Sequence, residues 1–292
     1  MKLNLWRAVV VMLLIIFSAT GLRAESSVWA VKSSAATVYF AGSCHVLRAS
    51  DHPLPAEFHA AYSNSRSIVL EAPLDDMERP EYLAKLMIAA VYSDGTTLRQ
   101  HISPATYAKV EAFCKKRNYP LEQYQLFRPW MLTMTLMMQE MARIGAEPAN
   151  GVDSFFSEKA KADGKTIGSL ETVDEQISFL SVMDENMGDE QIIENITELE
   201  QINVRGPEIL DAWKKGEESR IADLNLKELK NSPKLYRALF VDRNTKWLRI
   251  IEGYLKRPEN TMVIVGVAHL AGEGSVIDQL RKRGYRVVKL QN

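Results

Sequence analysis

Met262-Val-Ile-Val-Gly-Val-Ala-His269 stands near the end of the chain. Its apolar part, Met262–Val265, reads as a buried strand, and Gly266 marks where the backbone leaves it. A helix follows over Ser275–Arg283, then a second strand over Tyr285–Leu290. Strand, loop, helix, strand is a βαβ pattern and predicts parallel pairing. The same arrangement occurs near the start, in Thr37-Val-Tyr-Phe-Ala-Gly-Ser-Cys-His45. There an apolar strand, Thr37–Ala41, also runs into Gly-x-x-His. With only 15 Gly and 5 His in 292 residues, two such motifs at strand ends exceed chance. Glycine lets the backbone turn sharply or approach a ligand as it leaves a sheet. The histidine then emerges beyond the carboxyl end of the strand, where open α/β sheets bind ligands.

Working outward, Val28–Val31 and Thr37–Ala41 form a hairpin across Ser-Ser-Ala-Ala, and Pro55–Tyr62 reads as a short helix. Ser67–Leu70 is a third compact apolar strand, ended by Glu71. Helical spacing covers Pro80–Tyr92, Pro104–Lys116, Trp130–Ile144, Asp153–Ala162 and Val173–Met183, with a short strand at Thr166–Leu170. Glu190–Lys256 is long, charged and helical, with breaks expected near Gly206-Pro207, Gly216 and Ser232-Pro233. Strands cluster at both ends of the chain and helices fill the middle. The predicted architecture is α/β: a core sheet built from N- and C-terminal strands, with a large helical insertion. No linker or repeat divides it, so residues 25–292 are expected to form one domain.

Residues 1–24 read as an address. Lys2 and Arg7 precede or flank an unbroken apolar run, Ala8–Phe17, followed by small residues up to Ala24. A run of ten suits a signal-peptide core, whereas a spanning helix needs about 20 apolar residues. Export to the periplasm or the exterior is the expectation; an uncleaved N-terminal anchor, the one route to a membrane, is the alternative. Composition excludes other classes. The chain is 46% hydrophobic and 25% charged, with 36 Lys+Arg against 37 Asp+Glu. A net charge of −1 without a long basic run does not favour nucleic-acid binding. Two cysteines, Cys44 and Cys114, permit one bridge, although separate thiols are the simpler reading.

If the three strands run parallel, His45, Glu71 and His269 converge on one sheet edge. Two imidazoles and a carboxylate suit a divalent metal (Mn, Co or Zn) with open positions. Such a metal lowers the pKa of bound water or polarises a carbonyl. The competing reading makes each histidine a hydrogen-bonded structural residue. There is no His-Glu-x-x-His, no Gly-x-Ser-x-Gly and no P-loop.

The stretch Tyr39–Leu47, then Pro53-Leu54-Pro55, then Ile68–Glu71, resembles the opening of the TraB/GumN family, which includes the Tiki proteins. Gly151-Val152-Asp153, Gly164-Lys165, Leu170-Glu171-Thr172, Glu175-Gln176, Asp242-Arg243-Asn244 and Val265–Leu270 follow in the family's order. The resemblance covers residues 28–290. The family is marked by two Gly-x-x-His motifs with a shared Glu and Arg, and its Tiki members are described as metal-dependent proteases. It therefore implies an exported, peptidase-like metallohydrolase acting on a peptide or small protein. By position, His45, His269 and Glu71 match the metal-site residues, and Glu71 and Arg243 the catalytic ones. A non-catalytic protein binding a peptide, a metal or haem on the same fold is the alternative. Cys44 replaces an apolar residue common in the family, so it reads either as a soft ligand or as a small buried hydrophobe.

Arg243 suits clamping a carboxylate or an oxyanion, or else an ion pair with Asp242 or another neighbouring acid. Glu171 either faces the same crevice or serves as a first-turn acid beside Thr172. His52, His59 and His101 lack the motif and read as surface or locally bonded residues. Met131, Met134, Met138 and Met141, with Met137 alongside, form a helical stripe. It reads as core filler, with an adaptable peptide face or a soft-metal site as the sharper alternative.

Overall fold

The computed structural model describes residues 25–226 and 232–291. The proposed signal segment, residues 1–24, lies outside the described residues. Eight strands are present among them: β1 Glu25–Lys32, β2 Thr37–Ser43, β3 Leu47–Arg48, β4 Ser67–Leu70, β5 Ala146–Glu147, β6 Thr166–Ser169, β7 Thr261–Gly266 and β8 Val287–Gln291. Six form one mixed sheet in the order β6-β4-β7-β2-β1-β8, and β3 pairs with β5 beside it.

The β1–β2 hairpin forms as expected, with Val28 opposite Ala41 and Lys32 opposite Thr37. The Ser33 hydroxyl accepts from the backbone N–H groups of Ala35 and Ala36, which tightens the turn. β7 is buried at all six positions because helices cover both sheet faces. Its side chains alternate between two cores, as the strand period requires. Met262 and Ile264 join Phe58, Phe156 and Trp213 on one face. Val263 and Val265 join Trp247, Ile251 and Leu280 on the other. A third core, with Leu98, Phe113, Leu132 and Ile192, lies inside the helical insertion.

Two sequence expectations need correction. β7 and β8 run in the same direction but do not pair, because the β1–β2 hairpin stands between them. β2 takes the edge of β7 over six consecutive partners, Val38↔Thr261 to Ser43↔Gly266. The half-exposed residues of β8 suit the rim of the sheet. The helix is also unbroken at Gly206-Pro207, which lie within Ile202–Lys215. Proline there removes one early hydrogen bond, while buried Ile202, Ala212 and Trp213 hold the helix against its neighbours. The break falls instead at Gln201, between this helix and Asp189–Glu200. The expected stops at Gly216 and Ser232-Pro233 both form, with Gly216 in the left-handed region at φ 61°.

Register then positions the site. β2, β7 and β4 are parallel neighbours, with Gly42 level with Val265 and Leu70 level with Ile264. The chain therefore leaves all three strands at one sheet edge, into the segments that carry His45, Glu71 and His269.

Candidate functional site

The three strand ends meet around Gly266. Its backbone N–H donates to Glu71 Oε2 at 3.2 Å. A Cβ added at Gly266 would lie 2.9 Å from His45 Nε2, 3.7 Å from Glu71 Oε2 and 3.7 Å from His269 Cδ2. Glycine is thus required by close approach, and the same contacts place both imidazoles and the carboxylate around one space.

His269 sits on a short 3-10 turn, Val267–His269, and is buried. Its ring packs between Phe240 and Trp247, with centroids 4.7 and 4.5 Å away. Nδ1 lies 2.7 Å from Asn244 Oδ1. Asn244 donates its amide N–H to the Gly274 carbonyl at 3.0 Å, which leaves Oδ1 as the acceptor toward the ring. His269 therefore carries its proton on Nδ1 and presents the Nε2 lone pair to the site. Burial, together with the positive charges of Arg243 and His45, pushes its pKa down to about 3. It is neutral at ordinary pH.

His45 is anchored from its outer side as well. Nδ1 lies 3.2 Å from Asp153 Oδ2, and Ser43 Oγ donates to Asp153 Oδ1 at 2.8 Å. The ring is half exposed to the cavity; partial loss of water works against charge on it, but the Asp153 carboxylate outweighs this and raises the pKa to about 9. Asp153 belongs to the helix Val152–Ala162, whose first N–H donates to the Cys44 carbonyl at 3.1 Å. Gly151 allows this docking, since a Cβ there would stand 2.3 Å from the His45 carbonyl oxygen.

Glu71 and Arg243 complete the cluster. Burial alone would raise the Glu71 carboxyl, but the Arg243 guanidinium and the charged His45 ring hold it well below the usual range. Arg243 Nη2 donates to Glu71 Oε1 at 2.5 Å. Nε and Nη2 also form a 2.8 Å fork onto Glu171. Glu171 accepts further from Trp247 Nε1 at 2.8 Å and from Gln176. Nη1 donates to the Leu239 carbonyl at 3.2 Å and to His269 Nε2 at 3.3 Å. All five N–H groups of the guanidinium are engaged in this way. Asp242 is not its partner, since it pairs with Arg237. Glu171 is the residue that holds Arg243 in place, a role its spacing did not single out.

The other candidates lie elsewhere. Cys44 packs partly buried against the core, its Sγ toward the Val46 carbonyl at 3.4 Å. Burial pushes its thiol up to about 11, which disfavours a thiolate ligand. Cys44 and Cys114 are separate thiols, as the simpler reading had it. His52 bonds the Asn150 carbonyl at 2.8 Å, His59 lies against Phe155 and Phe156, and His101 stacks on Tyr92. The methionine stripe is not core filler. On the helix Pro129–Arg143 the buried positions include Trp130, Leu132 and Leu136. Met134, Met137 and Met141 instead line a cavity of about 640 Å³ that also contains His45, Glu71 and His269.

The donor chemistry suits a divalent cation. His269 offers its Nε2 lone pair, and His45 would offer its own once a cation displaced the Nε2 proton; in both rings Nδ1 is fixed by an outer partner, the arrangement typical of metal-binding histidines. The Glu71 carboxylate is ionised. No group of three or more His, Cys, Asp or Glu is preassembled with metal-binding geometry among the described residues. Arg243 already bonds His269 Nε2 in this arrangement. Glu171 and the Leu239 carbonyl anchor Arg243 independently of its bond to His269. Sequence reasoning missed Asp153 and Asn244 as orienting groups. Their signal was position, one just past Gly151 and one just past Arg243, within segments already quoted for the resemblance.

The chain is similar to the uncharacterized protein YbaP of Escherichia coli K12, 22% identical over 241 residues, which cover 82% of this chain and 86% of that protein. The uncharacterized YbaP of Shigella flexneri matches to the same extent. No solved structure matches. The model of the TraB/PrgY/gumN family matches residues 27–289, nearly all of the described sheet and its helical insertion, and the chain belongs to that family.

Proposed function

We propose that this protein is an exported hydrolase of acyl bonds, peptide bonds included, working at the strand-end site with a divalent metal. The observation that carries this reading is the shared direction of the two imidazoles. His45 and His269 are each fixed through Nδ1, by Asp153 and by Asn244. Both turn Nε2 toward the space beside Gly266 and Glu71. His45, His269 and Glu71 would hold the metal, which supplies an acidified water and a polarised carbonyl.

The chain's own groups have distinct tasks. Glu71 is a poor proton acceptor, because its charge is stabilised by Arg243 and by the Gly266 N–H. It serves better as ligand than as base. Arg243 brings positive charge close to where a carbonyl oxygen would gain negative charge. Its bond to His269 is the one not made to a carboxylate or a carbonyl. Release of that bond would leave one N–H free for a substrate oxygen. Asp153 and Asn244 orient the rings.

The test is metal content of the purified protein, wild type beside His45→Ala/His269→Ala, with turnover of acyl and peptide substrates followed in parallel. Stoichiometric Mn, Co or Zn in the wild type, lost from a still-folded double variant, supports the reading. No uptake of any of the three by the wild type, with turnover unchanged in the double variant, overturns it. Glu71→Gln separates hydrolysis from simple ligand capture, since turnover collapses while binding of a neutral ligand survives. Among the described residues no helix is long and apolar enough to cross a membrane. The proposed export rests on residues 1–24, and unprocessed protein in the cytoplasm would remove it.

A further inference from the structure

The cavity over the site has two chemically different ends. At the sheet edge it holds His45, Glu71 and His269. Away from the sheet its wall includes Met134, Met137, Met141, Met183, Met187 and Ile209. These residues come from three helices of the insertion, Pro129–Arg143, Val173–Asn186 and Ile202–Lys215, with Met187 just past the end of the second. The volume, about 640 Å³, falls within the range of small-ligand pockets.

That wall offers little to a peptide backbone. A strand carries an N–H and a C=O at every residue, and each needs a partner when buried. The wall is helical, so its own backbone groups are largely spent within the helices. Arg48 and Ala146, which also line the cavity, belong to the two-residue strands β3 and β5, a short edge for a peptide to add to. Several polar side chains are also committed. Thr133 donates to the Trp130 carbonyl at 3.0 Å, and Trp213 donates to the Gly42 carbonyl at 2.7 Å. Arg205 pairs with Glu198 at 2.8 Å. Trp130 Nε1, a buried donor without a partner, and the Asn195 side chain in the lining are two groups where a peptide would need many. An alkyl chain makes no such demand, and unbranched, polarizable methionine side chains adapt to its shape.

We propose that the methionine-lined end is an acyl-chain pocket, so that the substrate is a long-chain acyl ester or amide with its carbonyl at His45 and Glu71. This rests on the hydrolase reading above for the reaction, and on the cavity wall alone for the binding. In the reaction, water supplies the new C–O bond of a carboxylic acid. The ester C–O or amide C–N bond breaks, and the departing alcohol or amine takes a proton from that water.

Two measurements on the full protein test it separately. The first is binding of 11-(dansylamino)undecanoic acid by fluorescence, with displacement by palmitate or by an uncharged apolar octapeptide. The expected result is saturable binding displaced by palmitate, weakened at least tenfold in Met134→Trp or Met141→Trp. Absence of binding, or displacement by the octapeptide alone, overturns the pocket. The second is hydrolysis of 4-nitrophenyl esters from acetate to palmitate by the wild type, which needs no variant to fold. A kcat/KM rising at least tenfold with chain length supports the pocket, and a flat or falling series overturns it. Binding without turnover of any ester overturns the hydrolase reading and leaves the pocket standing. Turnover of short esters without binding of the fluorescent acid does the reverse.

Discussion

The Asp153 carboxylate lies 3.2 Å from Nδ1 of His45, although more than a hundred residues of chain separate them. Two independent features maintain this contact. The helix that begins at Val152 docks its first N–H on the Cys44 carbonyl, and Ser43 Oγ holds the other carboxylate oxygen. His45 is therefore aimed by a helix terminus as much as by its own strand. Asp153→Asn is expected to lower metal affinity about 10–100-fold while the fold persists, the usual cost of removing an outer partner from a ligating histidine. Metal titration of the variant beside wild type, with circular dichroism as the folding control, checks this. An unchanged affinity would show that Asp153 does not aim a metal-binding ring.

Gly266→Ala is expected to damage function more than stability. The added methyl would sit 2.9 Å from His45 Nε2, the free end of a side chain that can swing away. Turnover should fall about 10–100-fold, as expected for misplacing a reacting group by roughly 1 Å. Stability should change by less than about 1 kcal/mol, since no backbone must move. Urea denaturation and steady-state kinetics on the same preparation separate the two effects.

Glu171→Gln should do the opposite and unfold the site. Glu171 is buried and accepts from Arg243 twice, from Trp247 and from Gln176. Neutralising it strands part of a buried guanidinium charge, at a cost of about 3–5 kcal/mol. The urea midpoint should drop markedly. A drop within experimental scatter would mean that Glu71 alone is enough to hold Arg243.

Acid stability provides a test away from the site. Burial would raise the pKa of Asp51, but hydrogen bonds from Arg48 and the nearby Lys214 hold it down to about 2. A carboxyl depressed in the folded state adds stability above its unfolded pKa of about 4. That contribution is lost as pH falls from about 4 through about 2, and Asp51→Asn should flatten the pH dependence in this window. Denaturation midpoints at pH 7, 4 and 2 for both proteins decide it.

Local patterns determined a large part of this protein. Alternating and continuous apolar runs placed the major strands, because a strand buried on both faces has little choice of composition. Gly-x-x-His at two strand ends named His45 and His269, and the end of β4 named Glu71, since residues emerging from parallel strands share one edge. Turn chemistry located the stops at Gly216 and at Ser232-Pro233. What local pattern did not determine was competition between distant segments. β2 rather than β8 pairs with β7, because only the extended register of two apolar strands shows which edge is better satisfied. Pro207 sits inside a helix, because packing of Ile202 and Trp213 outweighs a single lost hydrogen bond. The methionine stripe looked like core, because spacing gives a face its direction but not what lies opposite; here the opposite side is a cavity. The partners of each functional group, Asp153 for His45, Asn244 for His269 and Glu171 for Arg243, come from elements that only folding brings together. Sequence thus determined which residues reach the sheet edge. Tertiary structure decided what each one faces, because orientation and charge at a buried site are set by the neighbours that replace water.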